Sequence, residues 1–549
     1  MRKRLTALDH LAAALVAGAY LALLVGTAHD LGFTRDEGFY FDAADDYARW
    51  FQKLWEDPGA ATTREAVDAG WRRNHEHPPL MKSLFGLSNS ILHERFGLFD
   101  EASTAYRFPG MLASAMAVWL TFLFGAAAYS RTVGAFAAAA FALAPRPFFH
   151  AHLACFDMAI TTATLAVTFA YWKSIESKAW GIAAGLLLGL AMLVKHNAFF
   201  LPAILGVHYL VVRLRDFHAA RLAGDAKGVP VSFVAALVLA PAVYVGGWPW
   251  LWFETVKRFR NYVGFHTNHP FYNIEYLGTT WFEPPLPISY PFGMTLFTWP
   301  LVTLVLCVIG LGFVVPKLLP GPIRKRLAPS AAPDDRRTDL LVVWSALVPM
   351  AIIAHPSVPI FGGTKHWLPA MPFVCILAGV GFERALGALR VRVRGPRPLL
   401  AAALAAALLA APAIETRASH PFALSHYTAG AGGTPGAADI GTCRQFWGFT
   451  TGSLTGWLNR HVRRGGAVQL HDTLWQSYRM LQRDGRLRRD IRYAPDAARS
   501  DFALVHLEQH WSELEYAIWD DYGTAAPAHV LTHEGVPIVP VYANPVRRR

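Results

Sequence analysis

The chain has 549 residues, of which 53% are hydrophobic and 16% charged, with 18 Trp, 35 Phe and a net charge of +12. A soluble domain carries about 25% charged residues, so this balance excludes a disordered chain, a coiled coil and an ordinary cytosolic enzyme. The basic residues gather in short segments between apolar runs, which is the inner-leaflet bias of a multi-span membrane protein and argues against nucleic-acid binding.

A helix needs about 20 apolar residues to cross a bilayer. The apolar runs predict about eleven spans, within a range of about 10–13. They lie near 8–28, 108–128, 132–149, 158–173, 179–195, 197–212, 229–247, 293–316, 340–355, 366–386 and 398–415. The first run follows Met-Arg-Lys-Arg and lacks a clean cleavage site, so it reads as a retained signal anchor. With Arg2, Lys3 and Arg4 in the cytoplasm, the same side receives Arg131, Lys173, Lys178, Arg213, Arg215, Arg221 and Lys227. It also receives Lys317, Arg324, Lys325, Arg326, Arg336 and Arg337, and then Arg384, Arg390, Arg392, Arg394 and Arg397.

Segments 29–107 and 248–292 then fall on the outer side, as does the tail from 417. The tail reads as a small soluble α/β domain. Strands are expected at 467–470, 490–493 and 502–506, and a helix at 474–484. Pro540 limits a strand at 538–542 to an edge position. The expected architecture is a polytopic α-helical membrane domain over 1–416 and an extracytoplasmic α/β domain over 417–549. Cys155, Cys307, Cys375 and Cys443 have no CxxC spacing, which argues against a disulfide framework or a zinc site built on them.

Several polar residues stand where the charge bias does not put them. Asp36 and Glu37 follow the first span within Phe33-Thr34-Arg35-Asp36-Glu37-Gly38-Phe39-Tyr40. An acid at a membrane mouth can serve as a general base; the alternative is a solvated turn with a helix cap. In Asn74-His75-Glu76-His77-Pro78-Pro79-Leu80-Met81-Lys82 the prolines fix a kink, and Lys82 is within reach of a phosphate at the membrane surface. His75 and His77 resemble a metal pair with no evident third ligand. Arg107 opens the second span, where it either serves a site or snorkels to headgroups. Asp157 follows His150-Ala151-His152; a membrane-edge acid is a functional candidate by default, with helix capping as the alternative. Lys195 and Lys365 lie on the outer side, against the bias. The second outer loop holds Trp248, Trp250, Trp252, His266, His269, Tyr272, Tyr276 and Trp281, which suit either sugar stacking or interfacial anchoring.

Together these motifs resemble the GT-C glycosyltransferases of family 39, the protein O-mannosyltransferase and aminoarabinose-transferase type. The resemblance rests on Asp36-Glu37, on His77-Pro78-Pro79-Leu80 with Lys82, and on Arg107, Pro109 and Asp157. It extends to the glycine-rich run 185–195, to Gly363-Thr364-Lys365-His366-Trp367-Leu368-Pro369, and to His420-Pro421-Phe422-Ala423-Leu424-Ser425-His426-Tyr427. It covers roughly residues 30–450. Members often have Arg where Lys365 stands.

The resemblance implies a transferase of a bacterial inner membrane. It would move a sugar from a polyprenyl-phosphate donor to an outer-face protein, lipid or glycan acceptor, with inversion. Asp36 would be the base, with Glu37 orienting the acceptor or a cation and Asp157 binding sugar or acceptor. Lys82, Arg107, Lys195 and Lys365 would hold the donor phosphate, and His77, His269 and Tyr276 would contact substrate. A divalent cation is an open possibility, with Glu37, His75 and His77 as candidate ligands. Two other readings compete. A flippase for lipid-linked sugars should show inverted repeats, and none is visible. A non-catalytic scaffold on the same fold would not need Asp36, Glu37, Lys82 and Arg107 intact.

Overall fold

The computed structural model describes residues 5–175, 177–223, 230–319, 321–327 and 337–547. Arg2, Lys3, Arg4, Lys227 and Arg336 of the predicted charge bias lie outside the described residues.

All eleven apolar runs are helical. Five are long and apolar enough to cross a membrane unaided: Ala7–Asp30, Ala102–Ala128, Leu301–Leu318, Leu368–Arg392 and Arg397–Ser419. A sixth, Arg131–Ala142 with Pro145–Ala151, is bent by 69°. The bend follows from chemistry, because Pro145 and Pro147 supply no N–H to continue the ladder from the preceding turn. Lys178–Val194, His196–Val212, Val231–Gly246 and Thr338–Ala354 are apolar but shorter. The remaining run is the helix Asp157–Ser174. Its threonines lower the apolarity, yet Thr161 and Thr162 return their hydroxyls to the carbonyls of Asp157 and Met158 at 2.7 and 2.8 Å. The chain is a multi-pass membrane protein whose less apolar helices are sheltered by the others.

Small residues set the helix contacts. Gly181, Gly185 and Gly189 recur every fourth position, which puts them on one face of their helix. A Cβ on any of them would strike Val231–Gly246. Gly310 and Gly381 face each other in the same way: a Cβ on Gly310 meets the Leu377 carbonyl, and one on Gly381 meets the Leu306 carbonyl. Lipid tails give no hydrophobic drive between helices, so this close backbone approach supplies the dispersion contact that holds them.

Two strands, β1 (Ile274–Tyr276) and β2 (Thr279–Trp281), form an antiparallel hairpin in the second outer loop. The tail carries a mixed five-stranded sheet of β3 (Ala467–Leu470), β4 (Arg492–Tyr493), β5 (Phe502–Leu504), β6 (His529–His533) and β7 (Val536–Ala543). The strand order is β4-β3-β5-β7-β6. The predicted 474–484 helix is Trp475–Arg483. The strand expected at 538–542 is an inner strand, which corrects the edge placement inferred from Pro540. Pairing of β5 with β7 runs from Phe502–Ala543 to Leu504–Val541. Pro540 lies opposite Val530 of β6 and opposite the residue just after β5; its carbonyl accepts Val505 N–H at 3.1 Å, and Leu507 N–H bonds the Ile538 carbonyl at 3.0 Å beyond it, so the sheet absorbs the one missing N–H.

The three segments assigned to the outer side meet one another. Arg258 pairs with Asp68 at 2.6 Å, His266 donates to the Glu76 carbonyl at 3.0 Å, and Arg486 donates to the Leu31 carbonyl at 2.8 Å. The Asn273 amide lies 2.8 Å from His510. The two loops and the sheet therefore share one end of the helix bundle.

Candidate functional site

The helix Arg35–Glu56 starts at that end, and Thr34 caps it. The Thr34 N–H donates to Glu37 Oε2 at 2.9 Å, the reciprocal half of a capping box. Glu37 is wholly buried, and Arg107 faces it, also wholly buried, with Nε to Oε1 at 2.8 Å and Nη2 to Oε2 at 3.1 Å. Ala154 N–H adds a bond to Oε1 at 3.0 Å. Arg107 also donates to the carbonyls of Ala28, Leu31 and Gly32 and lies over the Phe33 ring. Three chain segments, 28–37, Arg107 and Ala154, converge on this one ion pair.

Asp36, the next residue back, points elsewhere. Its side chain keeps 31% exposure, and Lys365 Nζ stands 3.3 Å from Oδ2. Lys365 itself is 6% exposed, with its ammonium 3.9 Å from the centre of the Trp447 ring. A desolvated cation over an aromatic face is held by the ring quadrupole. Lys365 is also within electrostatic reach of Asp157. Asp157 pairs with Lys195 at 2.7 Å and has His150 Nδ1 at 3.7 Å. The structure thus brings Asp36, Lys365, Asp157 and Lys195 into one alternating set of charges, drawn from four separate sequence positions.

Lys82 is wholly buried and donates to Asn74 O, to Asn74 Oδ1 at 3.0 Å and to His77 O at 3.0 Å. Burial pulls its ammonium down to about 7. His77 is close by, with Tyr40, Phe156, Phe265 and His266 rings around it at 5.7–6.3 Å. Burial drops its pKa well below the ordinary value, with Lys82 as the next cause, so the ring is neutral. His75 donates to the Arg72 carbonyl at 2.7 Å and lies against Trp250. His269 stacks on Phe361 with ring centres 4.7 Å apart and planes at 11°. Tyr276 is buried on β1 against Tyr290, away from the charge set.

Three contributors escape a linear reading. Arg35 donates from Nε to Asp472 Oδ1 at 2.6 Å, so the C-terminal sheet holds the helix that presents Asp36. Burial raises the Asp472 carboxyl, and Arg35 opposes that shift. Trp447 lies beneath Lys365, and its carbonyl accepts the Arg35 N–H at 2.9 Å. Glu508 is pushed well above the carboxylate range by burial, with Asp472 and Glu275 adding repulsion. Nothing in local spacing marks these residues, since their partners are hundreds of positions away. The candidate cation ligands Glu37, His75 and His77 do not assemble, because Glu37 is committed to Arg107. Among the described residues, His426, His533 and Glu534 are the group whose ligand atoms come within metal-binding distance of one another.

Residues 76–245 match the family model described as dolichyl-phosphate-mannose-protein mannosyltransferase. That stretch contains His77, Lys82, Arg107, Asp157 and Lys195. No curated protein matches the chain. Among solved structures, the chain is similar to ArnT from Cupriavidus metallidurans in the apo state. Identity is 14%, coverage is 96% of this chain and 97% of that one, and the TM-score is 0.48. The same protein bound to undecaprenyl phosphate gives 14% identity over 96% and 97%, with a TM-score of 0.46. The archaeal oligosaccharyltransferase AglB from Archaeoglobus fulgidus, in complex with an inhibitory peptide and a dolichol-phosphate, gives 11% identity over 92% and 70%, with a TM-score of 0.48. This multi-pass membrane protein is thus similar, over residues 76–245, to the dolichyl-phosphate-mannose-protein mannosyltransferase family.

Proposed function

We propose that this membrane protein is a glycosyltransferase that moves a sugar from a polyprenyl-phosphate donor to an acceptor hydroxyl on the extracytoplasmic face, with inversion and with Asp36 as general base. The observation that carries this reading is the half-exposed Asp36 carboxylate beside the buried Lys365 ammonium, 3.3 Å away. Glu37 has its oxygens committed to Arg107, Thr34 and Ala154, so Asp36 is the acid of this pair with a face open to substrate.

In the proposed step Asp36 takes the proton of the acceptor hydroxyl as its oxygen bonds to the anomeric carbon. The bond from that carbon to the phosphate oxygen breaks on the opposite side, and the polyprenyl phosphate leaves with the electron pair. Lys365 and Lys195 meet the charge that develops on the phosphate. Asp157 keeps Lys195 in place and orients the sugar. Lys82 and Arg107 act at one remove: their donors face protein oxygens, so they position the loop and the helix start. Glu37 is likewise a positioning residue. His77 of the first outer loop and His269 of the second line the approach, as the neutral ring and the stacked ring suit a sugar face. The donor's lipid tail lies in the bilayer, which accounts for a catalytic helix start pressed against many spans.

The test is release of free polyprenyl phosphate from a panel of polyprenyl-phosphate sugars by purified protein in nanodiscs. Asp36→Asn is expected to lower turnover by roughly 10²–10⁴-fold, the usual worth of a positioned general base. Turnover at the wild-type rate in this variant would remove Asp36 from the role.

A further inference from the structure

We propose that His426, His533 and Glu534 form a zinc site that fastens the C-terminal sheet to the membrane-embedded helices. The three donors come from two places 107 residues apart. His426 follows the last apolar helix, Arg397–Ser419, and His533 with Glu534 forms the end of β6 and the turn into β7. His533 Nε2 lies 3.3 Å from His426 Nδ1, and Glu534 Oε1 lies 3.5 Å from the same Nδ1. Tetrahedral zinc with ligands at about 2.0–2.1 Å separates neighbouring donors by about 3.3–3.4 Å. The second carboxylate oxygen of Glu534 is 4.0 Å from His533 Nε2. One metal ion fits between these atoms with little rearrangement.

The surroundings suit a metal ion: both rings are buried. His426 Nε2 has no hydrogen-bond partner, and neither does Glu415 Oε2 on the last apolar helix. Arg146 Nη2 donates to the His426 carbonyl at 3.3 Å and fixes that residue.

Glu534 keeps 34% exposure and offers the way in from solvent and room for a water as fourth ligand. It also holds φ of 48°, a left-handed conformation that non-glycine residues avoid, which turns its carboxylate back toward the histidines. This site is separate from the Asp36–Lys365 set and does not depend on its role. Its effect is mechanical. β6 is an edge strand, and a metal at its end ties that edge to the bundle, steadying the sheet whose Asp472 holds Arg35.

The full-length protein in detergent, stripped with chelator and incubated with Zn²⁺ alone, is passed through gel filtration and analysed for metal. Near-stoichiometric zinc is expected in the wild type, with at least a roughly tenfold lower retention in His533→Gln. Loading with Co²⁺ should give intense tetrahedral absorption bands that the variant lacks. Glu534→Gln, at an exposed turn, carries the same expectation if His533→Gln does not fold. Failure of the wild type to retain zinc, or retention unchanged in both variants, would overturn the proposal and leave the two rings as a hydrogen-bonded pair.

Discussion

Adjacent acids at the start of one helix have opposite fates, and the cause is helix geometry. Successive residues point about 100° apart around a helix, so when Glu37 turns inward to close the capping box, Asp36 turns out. The inward one meets Arg107, and both are at 0% exposure. Removing one partner of such a pair leaves a bare buried charge, at a cost of about 3–5 kcal/mol. Glu37→Gln keeps the shape and strands Arg107. It is expected to destabilise the protein by about 3–5 kcal/mol and to lower its melting temperature, whereas Asp36→Asn leaves melting nearly unchanged. Equal melting curves for the two variants would contradict this division of labour. The Thr34-x-x-Glu37 spacing makes the capping box legible in the sequence, but the partner that neutralises Glu37 is 70 residues on and is not. The same holds for Lys82: its charge and place beside the prolines are plain, but the three oxygens around it come from the folding back of its own loop.

At the scale of elements, apolar runs located the eleven apolar helical segments but not Arg35–Glu56 or Thr255–Thr267, and glycines decided how closely the apolar helices meet. The Gly185–Lys195 run contributes through its backbone as much as through Lys195, since Gly185 and Gly189 let Val231–Gly246 approach. The Gly310–Gly381 crossing is tighter still, with backbone on both sides and no flexible side chain to move. Gly381→Val therefore overpacks a contact that cannot relax, with an expected loss of about 3 kcal/mol read as a fall in melting temperature. Gly387→Val, on the same helix with open space around it, is the control that should not shift. Pro540 teaches the converse lesson. A residue that disfavours an inner strand in isolation is accepted where its carbonyl still takes a bond and the residues on either side carry the pairing, and strand placement is a property of the sheet.

On the scale of the whole molecule, the contacts among segments 29–107, 248–292 and the tail put all three at one end of the bundle. Three segments assigned to one side by charge alone are found packed together. The orientation makes a prediction of its own. In a Cys443→Ser background, Arg489→Cys in the tail is expected to react with a membrane-impermeant maleimide in intact spheroplasts. Arg394→Cys, in the basic segment before the last apolar helix, is expected to react only after permeabilisation. Both positions are exposed. The reverse pattern would invert the proteins's topology and move Asp36 to the cytoplasmic face.

The sequence by itself determined the membrane class, the positions of the apolar helices and the kinds of charge available at one end of the bundle. Those follow from composition and from spacing along a single element, which act over a few residues. Only the tertiary structure decided which charges face each other. It set Lys365 against Asp36 and Lys195 against Asp157, gave Arg107 to Glu37, and brought Asp472 from the tail to Arg35. The reason is that an ion pair is a matter of distance in space, and a buried charge takes whichever partner the packing brings within a few ångströms. In this chain those partners lie from 38 to 437 positions apart, beyond the reach of any local pattern.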